Sequence, residues 1–215
     1  TTAPELPATT LANSCYDSMF HNCTSLTTAP ELPATTLADR CYSSMFRGCT
    51  SLTTAPELPA TTLADHCYEY MFNGCTSLTT APELPATTLA DWSYTYMFAG
   101  CGKLNYIKAD FISYDSRDFS NWVDGVSSTG TFVMNVNANY NPETIRGVNG
   151  IPIGWTVTKT YTDTHVYIVN KSKNLNSLII NNNSSDLQYL VDMETEWVTL
   201  PTSKEPQRIE FQNGI

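Results

Sequence analysis

The sequence predicts an α/β repeat solenoid of short parallel strands and short helices, followed by a small all-β module. Three observations predict it. A 26-residue unit is written four times with little change, at 1–26, 27–52, 53–78 and 79–104. Each copy joins an extended, Pro-interrupted stretch to an amphipathic run that opens on Asp or Asn and closes on Gly or Asn. Beyond residue 157 the repeat is gone, and β-branched runs are separated by Asn, Asp, Ser, Lys and Pro, as hairpin turns would separate them. A fixed period of this length marks units that pack on their neighbours and cannot fold alone.

The second copy shows how each element is assigned. Leu26, Thr27, Thr28 and Ala29 form a short β-favouring stretch. Pro30 and Pro33 then remove ladder donors, so the strand is very short and the chain turns or runs as polyproline II. Leu32 and Leu37 still point inward from it. Asp39 reads as a helix N-cap, 40–47 as a short helix and Gly48 as its left-handed stop. The first copy has Asn13 and Asn22 at these two places, both allowed by the same physics. Tyr42, Met45, Phe46 and Cys49 lie at i, i+3, i+4 and i+7 and make one apolar stripe. Differences among copies fall on the opposite stripe, in four columns: Ser14, Arg40, His66, Trp92; Asp17, Ser43, Glu69, Thr95; Ser18, Ser44, Tyr70, Tyr96; and His21, Arg47, Asn73, Ala99. Strands of successive units are expected ~4.8 Å apart in a parallel ladder.

A unit with Leu-Thr-Thr-Ala, a Leu-Pro turn and an ending Met-Phe-x-Gly-Cys-Thr-Ser-Leu resembles the BspA-like leucine-rich repeat of gut and oral bacterial surface proteins. The ending stands intact at 46–52 and 72–78, and is altered at Asn22 in the first copy and at Gly102 and Lys103 in the fourth. The resemblance covers 1–104. It implies a right-handed leucine-rich-repeat solenoid, secretion to the cell surface, and adhesion or matrix binding.

Past Leu104 the repeat decays. Residues 105–109 replace the Thr-Thr-Ala-Pro stretch, and a helix is expected over 117–124. There Phe119, Trp122, Val123 and Val126 take the places of Tyr, Met, Phe and Cys. Strands are expected at 131–134 and 151–157, with a short helical turn at 142–146. Residues 105–157 thus read as divergent capping rungs, giving a repeat domain over 1–157. The β-rich module takes 158–215, with runs at 165–170, 177–180, 188–191, 197–200 and 208–211.

The chemistry is sparse. A net charge of −10 argues against nucleic acid and anionic membrane as partners, since both need a basic patch. No apolar run approaches the ~20 residues of a membrane span, so no membrane insertion is expected. No secretion signal is present, and the chain opens inside the repeat pattern, which suggests a further domain N-terminal to residue 1. The seven cysteines fall in two columns, Cys15, Cys41, Cys67 and Cys23, Cys49, Cys75, Cys101. Ser93 breaks the first column, which favours small buried side chains over one bridge per unit; cross-links between neighbouring columns are the alternative. A C-x7-C spacing without histidine does not suit zinc. His21, His66 and His165 have no nucleophilic or acidic partner at a telling spacing. Glu5, Glu31, Glu57 and Glu83 would stack as a solvated ladder, or be bridged by a hard cation such as calcium. No catalytic residue, cofactor site or metal site is expected, and the chain reads as a non-enzyme.

The candidate ligand-binding face is Arg40, His66, Tyr70, Trp92 and Tyr96, because exposed aromatics mark protein or carbohydrate sites. The expected function is that of a surface or secreted protein binding a protein or glycan. A phage or particle-surface fibre or decoration protein, or a structural spacer, is the alternative.

Overall fold

The computed structural model describes residues 3–160 and, beyond them, four strands at Ser177–Ile180, Leu187–Leu190, Trp197–Leu200 and Gln207–Glu210. Contacts divide the chain into two units, Thr1–Thr160 and Tyr161–Ile215. The first unit runs past the boundary expected after Val157 because its last strand continues to Thr160.

The leucine-rich-repeat solenoid of strands and helices is not formed. No α-helix exists among the described residues. The segments expected as helices, 40–47 and its counterparts and 117–124, are instead trains of β-turns. In the second copy the N–H groups of Cys41, Ser43, Met45, Arg47 and Cys49 each donate three residues back, to Ala38, Arg40, Tyr42, Ser44 and Phe46. The residues between them donate outward: Arg40, Tyr42, Ser44, Phe46 and Gly48 bond the carbonyls of Asp65, Cys67, Glu69, Met71 and Asn73 of the next copy at 2.8–3.1 Å. A helix would close its hydrogen bonds within one unit; here every second N–H is spent on the neighbour. Near-identical copies make that possible, because the donors of one rung meet acceptors at the same spacing on the next.

The turns demand left-handed backbone at every fourth residue. Positive φ occurs at 40, 44 and 48 and at the equivalent positions 14, 18 and 22, 66, 70 and 74, and 92, 96 and 100. A turn closed from residue 49 to residue 46 places 48 at its third position, where type II geometry requires φ > 0. Gly48 is therefore the last of a series of such positions and does not stop a helix, and Asp39 supplies a carbonyl to the Ser14 N–H.

Packing follows the rungs. Tyr42, Met45, Phe46, Cys49 and Leu52 are fully buried, as are their counterparts in the third copy. Tyr16, Tyr42, Tyr68 and Tyr94 stack in one column with centroids 5.8–6.2 Å apart, and Phe20, Phe46, Phe72 and Phe98 in another at 5.6–5.7 Å. The thiols of Cys49, Cys75 and Cys101 donate to the carbonyls of Phe20, Phe46 and Phe72 of the preceding rung. All seven cysteines are free, and only Cys15 and Cys23 are exposed.

The extended stretches between rungs shrink to single parallel bridges, Thr10↔Thr36↔Thr62 and Thr28↔Thr54, on either side of the Pro-rich turn. Continuous pairing begins where the prolines end. β1 (Tyr106–Ala109), β2 (Thr131–Asn135) and β3 (Thr156–Thr160) form a parallel sheet in that order, with Ile107, Phe132 and Val157 in register. The strand expected from 151 is confined to its end, since Pro152 and Gly154 (φ 87°) interrupt it and Ile151 makes only an isolated bridge to Arg146. Pro142–Ile145 is a 3-10 helix capped by the Asn141 side chain.

A fifth rung at 117–126 receives the N–H groups of Tyr94, Tyr96, Phe98 and Gly100 on the carbonyls of Asp118, Ser120, Trp122 and Asp124. Those pairings place Phe119, Trp122, Val123 and Val126 in the Tyr, Met, Phe and Cys columns. The rung's own outward donors are taken by the next segment: Asn121 N–H bonds Asn149 Oδ1 at 2.7 Å and Val123 N–H bonds the Val148 carbonyl. The Trp122 and Trp155 indoles donate to the carbonyls of Gly150 and Ser127. In the second unit β4 (Ser177–Ile180) pairs antiparallel with β7 (Gln207–Glu210), and β5 (Leu187–Leu190) with β6 (Trp197–Leu200). The run expected at 165–170, with His165, lies outside the described residues.

Candidate binding face

Two of the four variable columns, those of Arg40 and of Tyr70, leave each rung at its left-handed corners. All five candidates stand there: Arg40 (φ 57°), His66 (56°), Tyr70 (55°), Trp92 (58°) and Tyr96 (52°). A side chain in this region brings Cβ close to the following carbonyl, at a cost of roughly 1–2 kcal/mol per residue. At the third corner of each rung the chain uses Gly48, Gly74 and Gly100, with Asn22 in the first copy. The first two corners could have used glycine as well; they carry serine at 14, 18 and 44 and large polar or aromatic groups at Arg40, His66, Tyr70, Trp92 and Tyr96.

The structure brings the candidates together across rungs. His66 and Trp92 lie parallel, 6.2 Å between centroids and 4° between planes. Tyr70 and Tyr96 lie parallel at 4.7 Å and 6°. Arg40 Nη1 reaches Glu69 Oε2 at 3.2 Å, and His66 Nδ1 meets the same oxygen at 2.9 Å. Glu69 is thus the hub of the first row, its side chain only 15% exposed against 48% for Arg40. The second row begins with the Arg47 guanidinium, 5.0 Å from the Tyr70 ring centroid, and ends with Asn121, whose amide donates to Tyr96 Oη at 2.9 Å. Burial pushes the Tyr70 phenol up, with the neighbouring Tyr96 and Glu69 adding to the effect and Arg47 opposing it. Trp92 is 39% exposed. Beneath these rows Ser43 and Thr95 are buried.

Glu69, Arg47 and Asn121 complete this face and were not among the residues singled out by type. The signal was present for two of them, since Glu69 and Arg47 belong to variable columns. Asn121 lies in the divergent rung, where alignment by its apolar residues assigns it to the Tyr70 column.

Other candidates separate from the face. His21 is exposed on the first rung. Glu5, Glu31, Glu57 and Glu83 are exposed, and Lys108 Nζ pairs with Glu83 at 2.9 Å. Among the described residues no group of three or more His, Cys, Asp or Glu is placed to hold a metal ion, and no helix is long and apolar enough to cross a membrane. No family model, curated protein or solved structure matches the chain.

Proposed function

We propose that this chain is a non-enzymatic surface or secreted protein that binds a protein or glycan through the corner columns of its rungs, centred on Tyr70, Trp92 and Tyr96 with Arg40 and His66. One observation carries the reading. Large recognition-type side chains occupy left-handed backbone positions where glycine costs least, and backbone strain retained against that alternative clusters at binding sites. Aromatic and arginine side chains are also the groups that dominate binding energy at interfaces. They are pre-ordered here by stacking and ion pairing, which lowers the entropy lost on binding. The likeness of the Phe-x-Gly-Cys-Thr-Ser-Leu ending to BspA-like surface repeats supports the location.

An array of matrix proteins and glycans, probed with the full chain and with Trp92→Ala and Tyr70→Ala, tests the proposal. A specific ligand whose binding falls about tenfold or more in either variant is expected, as for a hot-spot aromatic. Undiminished binding by both variants removes this face as the site.

A further inference from the structure

Within the turn segments the backbone bonds between rungs run in one direction. At two-residue spacing along these segments, N–H groups point to the following rung: those of the first three rungs to carbonyls such as Asp39, Asp65 and Asp91, and those of the fourth to Asp118, Ser120, Trp122 and Asp124. Asp39, Cys41, Ser43, Met45 and Arg47 each accept such a bond from the first rung. Their first-rung counterparts, Asn13, Cys15, Asp17, Met19 and His21, accept no backbone bond among the described residues. The outer edge of residues 14–23 is therefore a row of carbonyl acceptors at two-residue spacing, with no donor among them.

The same edge exposes side chains that are core in every other copy. Met19 is 46% exposed where Met45, Met71 and Met97 are fully buried. Cys15 and Cys23 are exposed where Cys41, Cys49, Cys67, Cys75 and Cys101 are buried. What covers Met45 and Cys49 is the neighbouring rung, and the Cys49 thiol donates to that rung's Phe20 carbonyl.

We infer that this edge is a docking surface for one more polypeptide rung of the same alternating-turn kind, entering with its N–H row first. Donors at two-residue spacing match the bare carbonyls, and Tyr, Met and Cys columns continue over Tyr16, Met19 and Cys23. Once covered, these carbonyls need donors in place of water, so the rung that docks here must bring an N–H row. A second copy of this chain does not fit. Head to head, it sets carbonyl row against carbonyl row. Its other end has the N–H groups of Asn121 and Val123 already bound to Asn149 and Val148.

The test places a copy of residues 27–52 directly ahead of Thr1 in the full chain, beside a control carrying the same residues scrambled. Maleimide labelling of Cys15 and Cys23 is followed by mass spectrometry, since burial under a rung limits labelling to opening events. The expected result is labelling slowed at least about tenfold by the native rung and unchanged by the scrambled one. Equal rates in all three chains overturn the proposal, as does equal protection by the scrambled segment. Protection that grows with concentration in the unextended chain also overturns it, by showing that a second copy covers the edge.

Discussion

The rings of Tyr70 and Tyr96 lie 4.7 Å apart and 6° from parallel, closer than any ring pair that stacks between successive rungs of the core. Both stand on left-handed backbone at the surface. An offset-stacked pair of this kind contributes roughly 0.5–1.5 kcal/mol beyond its buried area. A double-mutant cycle of Tyr70→Ala and Tyr96→Ala, read by urea denaturation, is expected to return a coupling in that range. Additive single mutants would show that the rings are held apart in solution and that the face is not pre-ordered.

The apolar face of the rung was legible in the sequence and its element type was not; the opposite stripe is not outward throughout, since Ser43, Thr95 and Ala99 are buried. Tyr42, Met45, Phe46 and Cys49 fit a helix of period 3.6, but the same offsets fit a train of turns with period four. Both put these four side chains inside. The divergent rung was aligned correctly by this pattern, since Phe119, Trp122, Val123 and Val126 occupy the expected columns whichever backbone carries them. What separates the two is φ at every fourth residue, and only one corner in three advertises it with Gly48, Gly74 or Gly100. Serine, Arg40 and Tyr70 at the other corners read as ordinary helix residues. The hydrogen bonds that decide the matter run between copies, and local propensity does not register them. For the proposed binding face, column variability points to Arg40, His66, Tyr70, Trp92 and Tyr96. The role of Glu69 depends on a reach from rung to rung that spacing within one unit cannot show.

The corner strain has a direct consequence at Ser44, where φ is 54° and the side chain is half-buried. Ser44→Gly removes the left-handed penalty while adding the entropy cost of glycine in the unfolded chain. The net expectation is a gain of up to about 1 kcal/mol, seen as a higher denaturation midpoint. Gly48→Ala should act in the opposite sense. Its φ is 74°, and a Cβ there would collide with the Asn22 side chain. A loss of at least about 1–2 kcal/mol is expected. If Ser44→Gly destabilises, the turn assignment at the first two corners is wrong.

Ser93 interrupts a column of buried cysteines, and its buried hydroxyl has no hydrogen-bond partner among the described residues. An unmet buried polar group costs roughly 1–3 kcal/mol. Ser93→Cys continues the column of Cys41 and Cys67 with a small apolar side chain and should raise the thermal midpoint. Ser93→Ala removes the hydroxyl without filling its space and should raise it less. A lower midpoint in both would mean that the hydroxyl is bonded.

The buried thiols make the fold sensitive to alkali. Burial pushes Cys41 and Cys49 up to about 11 and Cys101 up to about 12, from an ordinary value of 9.0. Desolvation raises Cys67, Cys75, Tyr68 and Tyr94 further. A pKa raised on folding means that the folded chain holds protons the unfolded chain has released. Stability is then fully present below pH 9.0 and falls as the pH climbs toward the folded values. Each such group contributes up to about 1.4 kcal/mol per pH unit within its window. Urea midpoints should therefore be flat between about pH 7 and pH 8 and fall steeply from about pH 9 to pH 10.5. Replacing Cys41 and Cys49 together by Ala costs packing at neutral pH but should make the alkaline fall shallower, by two of the titrating groups. An unchanged slope in that variant would place the alkaline sensitivity elsewhere, and a flat midpoint up to pH 10.5 would show that the thiols are not desolvated.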